Sequence, residues 1–210
     1  DVMVIDNTST AKFVISTSRS LTLDVATTLN LGTQAVITNN GSFINNGTLR
    51  TANANGLTGS ALASISGGTV TNDMDSYVEY YGGNQSVTAI TYGNLTVSGT
   101  GTKTAGTFNL STNGTLYITG SATLNATGNI GPTLANSTDL IMDGSSRFIL
   151  RTAGTQPNMQ GTYTLSGSST IEFANNNASA QSIRNGSTYV YHNIDISGNN
   201  VVNASANIFL

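Results

Sequence analysis

The chain has 210 residues, enough for one sizeable core. Only 8% of them are charged, against roughly 25% in an average soluble domain, while Gly, Asn, Ser and Thr fill about half the chain. Seven Lys plus Arg at a net charge of -3 cannot supply a nucleic-acid footprint, the lack of cysteine excludes thiolate metal sites and disulfides, and no apolar run approaches the ~20 residues of a membrane span.

From the N-terminus onward, short runs place apolar residues two apart: Leu21-Thr22-Leu23, Leu29-Asn30-Leu31, Leu95-Thr96-Val97, Leu116-Tyr117-Ile118 and Ile194-Asp195-Ile196. Residues two apart share one face of a strand. No stretch carries a 3.6-residue stripe, so an all-β chain is expected. Turn pairs separate the runs at Asn40-Gly41, Asn46-Gly47, Gly67-Gly68, Asn113-Gly114 and Asn185-Gly186. Such pairs commonly close antiparallel hairpins. Here the six-residue units Asn39–Ile44 and Asn45–Arg50 follow back to back, with room only for a very short strand and a corner. That spacing describes the sides of a solenoid.

A longer repeat spans the second half. Val78-Glu79-Tyr80, Gln85-Ser86-Val87 and Tyr92 to Gly99 recur in order as Ile171-Glu172-Phe173, Gln181-Ser182-Ile183 and Tyr191 to Gly198. The offset grows from 93 to 96 to 99 residues. Duplication of several coils predicts that Glu79 lies over Glu172, and Leu95 over Ile194, on the same walls of the rod.

The blocks from Val78 to Ile118 resemble the repeats of very large secreted and cell-surface proteins of Bacteroidota. The Asn39–Leu49 units are similar to a second repeat type in those proteins. The resemblance implies right-handed parallel β-helices exported by the type IX secretion pathway, many of them adhesins, including those of gliding motility. It therefore implies an extracellular or cell-surface location, with the secretion machinery and neighbouring repeats of the same chain as partners. It is specific for architecture and weak for function. No sorting domain of that pathway is recognisable after Asn193. The chain begins without Met or a signal peptide and stops at Phe209-Leu210 in what reads as mid-strand, so a segment of a longer protein is expected.

Few residues invite a chemical reading. Glu79 and Glu172 sit between inward neighbours and should point to solvent. Asp73 and Asp75 would share a strand face about 7 Å apart, within the range of glycosidase carboxylate pairs, yet no basic residue lies near them in sequence. Asp139 and Asp143 form a looser acidic pair, and Arg147 and Arg151 a basic one. His192 is the only histidine, and its counterpart in the earlier repeat is Gly93. Thr-x-Thr spacings at Thr8/Thr10, Thr100/Thr102/Thr104 and Thr162/Thr164 do not recur at coil spacing, as an ice-binding face would require. Twelve Asn-x-Ser/Thr sequons follow from composition. Among the tyrosines, alternate members should be core. Tyr77 and Tyr81 are the weak ligand-binding candidates, since outward rings can stack on sugars.

The expected fold is one all-β domain over residues 1–210, a right-handed parallel β-helix of about nine coils, with a β-sandwich as the alternative. No catalytic centre, metal or cofactor is expected, because the charged residues should be thinly spread and solvated. The function that fits is a stalk or adhesive shaft meeting surface glycans or other cells. A carbohydrate-active β-helix enzyme and a polymerising filament subunit are the alternatives.

Overall fold

Alternation with a period of two, broken every few residues by turns, builds strands too short to pair with themselves. A computed structural model describes residues 2–4, 12–129, 137–176, 178–186, 189–199 and 202–204. They form 25 strands of two to four residues and no helix. Every strand pairing is parallel. The chain is a β-solenoid, and the β-sandwich alternative falls. Asn113-Gly114 turns a corner into the strand Thr115–Ile118, which pairs in parallel with the turns before and after it.

Each turn passes three sides. The first side is one eight-stranded sheet running from Val2–Val4 to Tyr163–Leu165. The second position holds a three-stranded sheet (Phe13–Ile15, Ile37–Asn39, Ile65–Ser66), then a six-stranded one from Gln85–Val87 to Asn193–Ile196. The third position carries two- and three-stranded sheets. The rod has about eight complete turns, close to the nine expected. Turn length varies from 17 residues (Tyr77 to Asn94) to 29 (Thr48 to Tyr77). A ninth pass adds Asn193–Ile196 and Val202–Asn203 at the second and third positions.

The core is a set of columns. On the first side Leu29, Leu49, Val78, Leu95, Leu116, Leu140 and Tyr163 lie one above the other in register, none more than 5% exposed. Beside them run Tyr80, Val97, Ile118 and Met142, all fully buried. Thr96 and Tyr117 face outward and are half-buried. Each aliphatic side chain so buried contributes roughly 1.5–3 kcal/mol, which accumulates turn by turn.

Glycines set the corner between the first two sides. Gly99, Gly120, Gly144 and Gly167 all take left-handed φ values between 60° and 71°. A Cβ on Gly144 would press into the Gly120 carbonyl oxygen, which already accepts Ser145 N at 2.7 Å. Gly144→Ala is expected to lose on the order of 2 kcal/mol in urea unfolding. Gly106→Ala, where a methyl meets open space, should change little.

The long repeat does not keep its walls. Val78 and Leu95 belong to the eight-stranded sheet, whereas Ile171 and Ile194 belong to the six-stranded one. Gln85 is at the second position and Gln181 at the third. The second copy is advanced by one side, because 93 residues amount to four turns plus one side. What repeats is local bonding. Gln85 Nε2 donates to the Thr51 and Asn53 carbonyls, and Gln181 Nε2 to those of Leu150 and Thr152. Asn94 and Asn193 donate to the Ser76 and Ser169 carbonyls. Each bond reaches only to the turn below, so the unit can be placed on any side of the rod.

Candidate functional site

Two surfaces stand out, one anticipated by the sequence and one not. The first is the outer face around Tyr77-Val78-Glu79-Tyr80-Tyr81. In register, Arg50 lies directly below Glu79 and Thr96 directly above it. Arg50 Nε donates to Glu79 Oε2 at 2.5 Å, and Ser98 Oγ donates to Oε1 at 2.6 Å. The Arg50 guanidinium also covers the Tyr81 ring, 4.8 Å from its centroid. Tyr81 OH donates to Asn30 Oδ1 at 2.8 Å. Tyr81 is thus committed to the scaffold and is not a free sugar platform. Tyr77 is 42% exposed and remains available.

Glu172 repeats the arrangement at the second position. Arg147 Nε donates to its Oε2 at 2.7 Å, Ser197 Oγ to its Oε1, and Arg147 Nη2 to Asp195. Glu172 is only 8% exposed. The expectation of a solvent-facing carboxylate fails there, because Arg147, Asp195 and Ser197 from neighbouring turns close over it. The charged groups are therefore not spread singly: Arg50, Glu79, Arg147, Glu172 and Asp195 form ion pairs.

The remaining acidic candidates cap turns. Asp73 and Asp75 lie between strands, not on one, and Asp73 Oδ1 accepts Asp75 N at 3.1 Å. Asp139 Oδ1 accepts Thr162 N and Asp143 Oδ1 accepts Gly120 N, each a tie to an adjacent turn. Arg151 Nε donates to Asn125 Oδ1. His192 is exposed beside Asn193. Thr102 stacks on Thr123, but Thr104 stacks on Asn125, and Arg147 and Ile149 follow in the next turn, so no threonine array forms. Thr8 and Thr10 lie outside the described residues. Among the described residues no group of three or more His, Asp or Glu side chains is placed to hold a metal ion.

The second surface arises where the longest turn leaves the rod. Residues 52–64 depart after Thr51 and return at Ile65. Thr51 Oγ1 and Ser64 Oγ meet at 2.7 Å at the neck, Asn53 Nδ2 donates to Leu62 O, and Ile65 N donates to Leu57 O. Leu57 is fully buried and pins the base. Thr88 clamps it from the turn above: its Oγ1 donates to Thr58 O and accepts Leu57 N and Thr58 N. Thr88 is itself held by the core. Tyr80 OH bonds Tyr92 OH at 2.9 Å, Tyr92 OH donates to Thr88 O at 2.7 Å, and Thr88 N donates to Tyr80 OH. Burial pushes both phenols above their ordinary pKa. As expected of alternate tyrosines, Tyr80, Tyr92 and Tyr191 are core.

No family model, curated protein or solved structure matches this chain.

The excursion leaves two grooves on its flanks, of about 690 Å³ and about 540 Å³. They share Thr58, Gly59, Ser60 and Gly68. The larger is also lined by apolar Val70, Ala89 and Ile90 and by hydroxyl-bearing Thr69, Ser86 and Thr88. The sequence carries no periodic signal for the grooves, since the 29-residue interval from Thr48 to Tyr77 shows only once those two strands are stacked.

A buried lysine was also missed. Lys103 lies inward between Gln85 and Leu124, with no exposed surface. Its Nζ donates to the carbonyls of Gly82, Ser98 and Thr100 at 2.5–2.7 Å. Burial pushes its pKa down to about 8. The alternation Thr102-Lys103-Thr104 placed it inward all along.

Proposed function

We propose that this chain is a shaft segment of a secreted or cell-surface adhesin, holding weak glycan- or cell-binding surfaces along a stiff rod. The observation that carries this reading is the unbroken column from Leu29 to Tyr163, which runs through seven consecutive strands of one sheet without a change of register. Such a stack has no hinge on that side, so force and position pass from turn to turn. The corners, with insertions such as residues 52–64, present side chains outward without disturbing the columns. Binding is weak per copy and multiplied by display of many copies. Neighbouring repeats of the same chain extend the shaft, a secretion machinery exports it, and catalysis has no part in the role.

Beads coated densely with the chain should be retained on a mucin-coated surface under flow, while the same chain in monomeric form binds it barely. Retention no better than that of albumin-coated beads would sink the proposal. Turnover of polysaccharides in a substrate panel would favour an enzyme instead.

A further inference from the structure

The two grooves beside residues 58–61 are formed by the excursion together with the strands and corners beside it, and their linings carry no charge. None of the eleven residues lining the larger groove is ionisable, nor any of those lining the smaller. Among the described residues, the hydroxyls of Thr69 and Ser86 have no partner within the chain, and both residues are exposed. Apolar Val70 and Ile90 line the same groove, partly buried against the core. The walls do not need to order on binding, since the Tyr80–Tyr92–Thr88 hydrogen bonds and the Thr51–Ser64 contact already fix them.

We propose that these grooves bind a neutral oligosaccharide that crosses the Gly68 corner beneath the overhang. The chemistry follows from the lining. An uncharged site gives an anionic or cationic ligand nothing to offset its desolvation. A pyranose chain presents C–H faces that fit Val70 and Ile90, and hydroxyls that pair with Ser, Thr and Asn55. The larger groove lies within the roughly 300–1,000 Å³ typical of ligand sites. The shared residues join it to the smaller one, which suits a chain of several sugars over a single one. Gly68 has a left-handed φ and lies against Asn39, so the corner stays low where the ligand would pass. The inference gives the proposed shaft a ligand class and a place to hold it, and rests on that reading only for its setting.

The test is a titration of isotope-labelled chain, followed by backbone amide resonances, with cellohexaose, chitohexaose, laminarihexaose and mannohexaose, and with hexagalacturonate as the charged comparison. One neutral hexasaccharide should shift Thr58, Gly59, Thr69 and Ser86 selectively. Ala89→Trp, which fills the larger groove from an exposed position, should weaken that binding about tenfold or more. The paired changes Thr69→Val and Ser86→Ala, which remove hydroxyls but little volume, should weaken it about threefold. Ile196→Ala, an exposed change on the ninth pass, should leave it unchanged. The proposal is overturned if no neutral probe shifts these amides at about 10 mM, far weaker than any useful site. It is equally overturned if the filled groove binds as well as the native one, or if hexagalacturonate competes equally. Bead retention that survives Ala89→Trp would leave the shaft reading standing while this site falls.

Discussion

Val97→Asp is expected to unfold the middle of the rod. Val97 is fully buried and stacks in register between Tyr80 below and Ile118 above. Lys103, the buried cation nearest in sequence, is already engaged with three carbonyls. An unpaired carboxylate in an apolar column costs several kcal/mol, comparable with the whole stability of a domain of this size. Each turn of a solenoid is stabilised mainly by its neighbours, so the loss spreads to the turns of Tyr77–Tyr80 and Thr115–Ile118. Limited proteolysis should open cleavage sites near residues 81–121, and the cooperative thermal transition should broaden or split. Thr96→Asn, one residue away but outward and adding no charge beside Glu79, should leave both unchanged. If the two variants melted alike, the alternation that defines the columns would be wrong.

That alternation was readable in the sequence. Leu95, Val97, Leu116 and Ile118 are spaced two apart within a strand and 21 between strands, and both intervals survive in the structure. What the alternation does not fix is the side of the rod on which a repeat lands. Turn lengths of 17 to 29 residues are set by corners, and corner length leaves no periodic mark. The wall of the second repeat is therefore misjudged, although the number of turns comes out close. The matched hydrogen bonds of Gln85 and Gln181 show that the repeat is real at the level of one strand and the turn beneath it.

The candidate sites were less legible, for a related reason. A residue's neighbours in this fold lie some twenty positions away, and the pattern that brings Arg50 to Glu79 spans 29. A local reading sees Glu79 between Val78 and Tyr80 and infers solvent. It sees Asp73 and Asp75 two apart and infers a strand face, although Asp73 is turning the chain toward Ser76. The grooves were further out of reach, since they are made by an irregular segment whose anchors are Thr51, Ser64 and Thr88.

Lys103 makes the fold sensitive to mild alkali in an unusual direction. Its pKa falls to about 8 in the native state because burial penalises the ammonium, while the unfolded chain keeps a value of about 10.4. Between those values the unfolded state holds a proton that the native state has released. The free energy of unfolding therefore rises with pH across that window, and the penalty is greatest below pH 8. From pH 7 to 9.5 the gain should be about 2 kcal/mol, read as a shift of the urea midpoint to higher concentration. Lys103→Met removes the titrating group and should flatten the slope. It also leaves the Gly82, Ser98 and Thr100 carbonyls without their donor, so the variant should be the less stable protein at pH 9.5. Buried tyrosines act in the opposite sense: phenols raised by burial destabilise the fold only as pH climbs past about 10, where unfolded tyrosines ionise first. Comparing native chain and variant at each pH cancels that contribution. A difference that stayed constant from pH 7 to 9.5 would mean that the three carbonyls hold the ammonium at its ordinary pKa, and the corner would then be an electrostatic tie with no pH response.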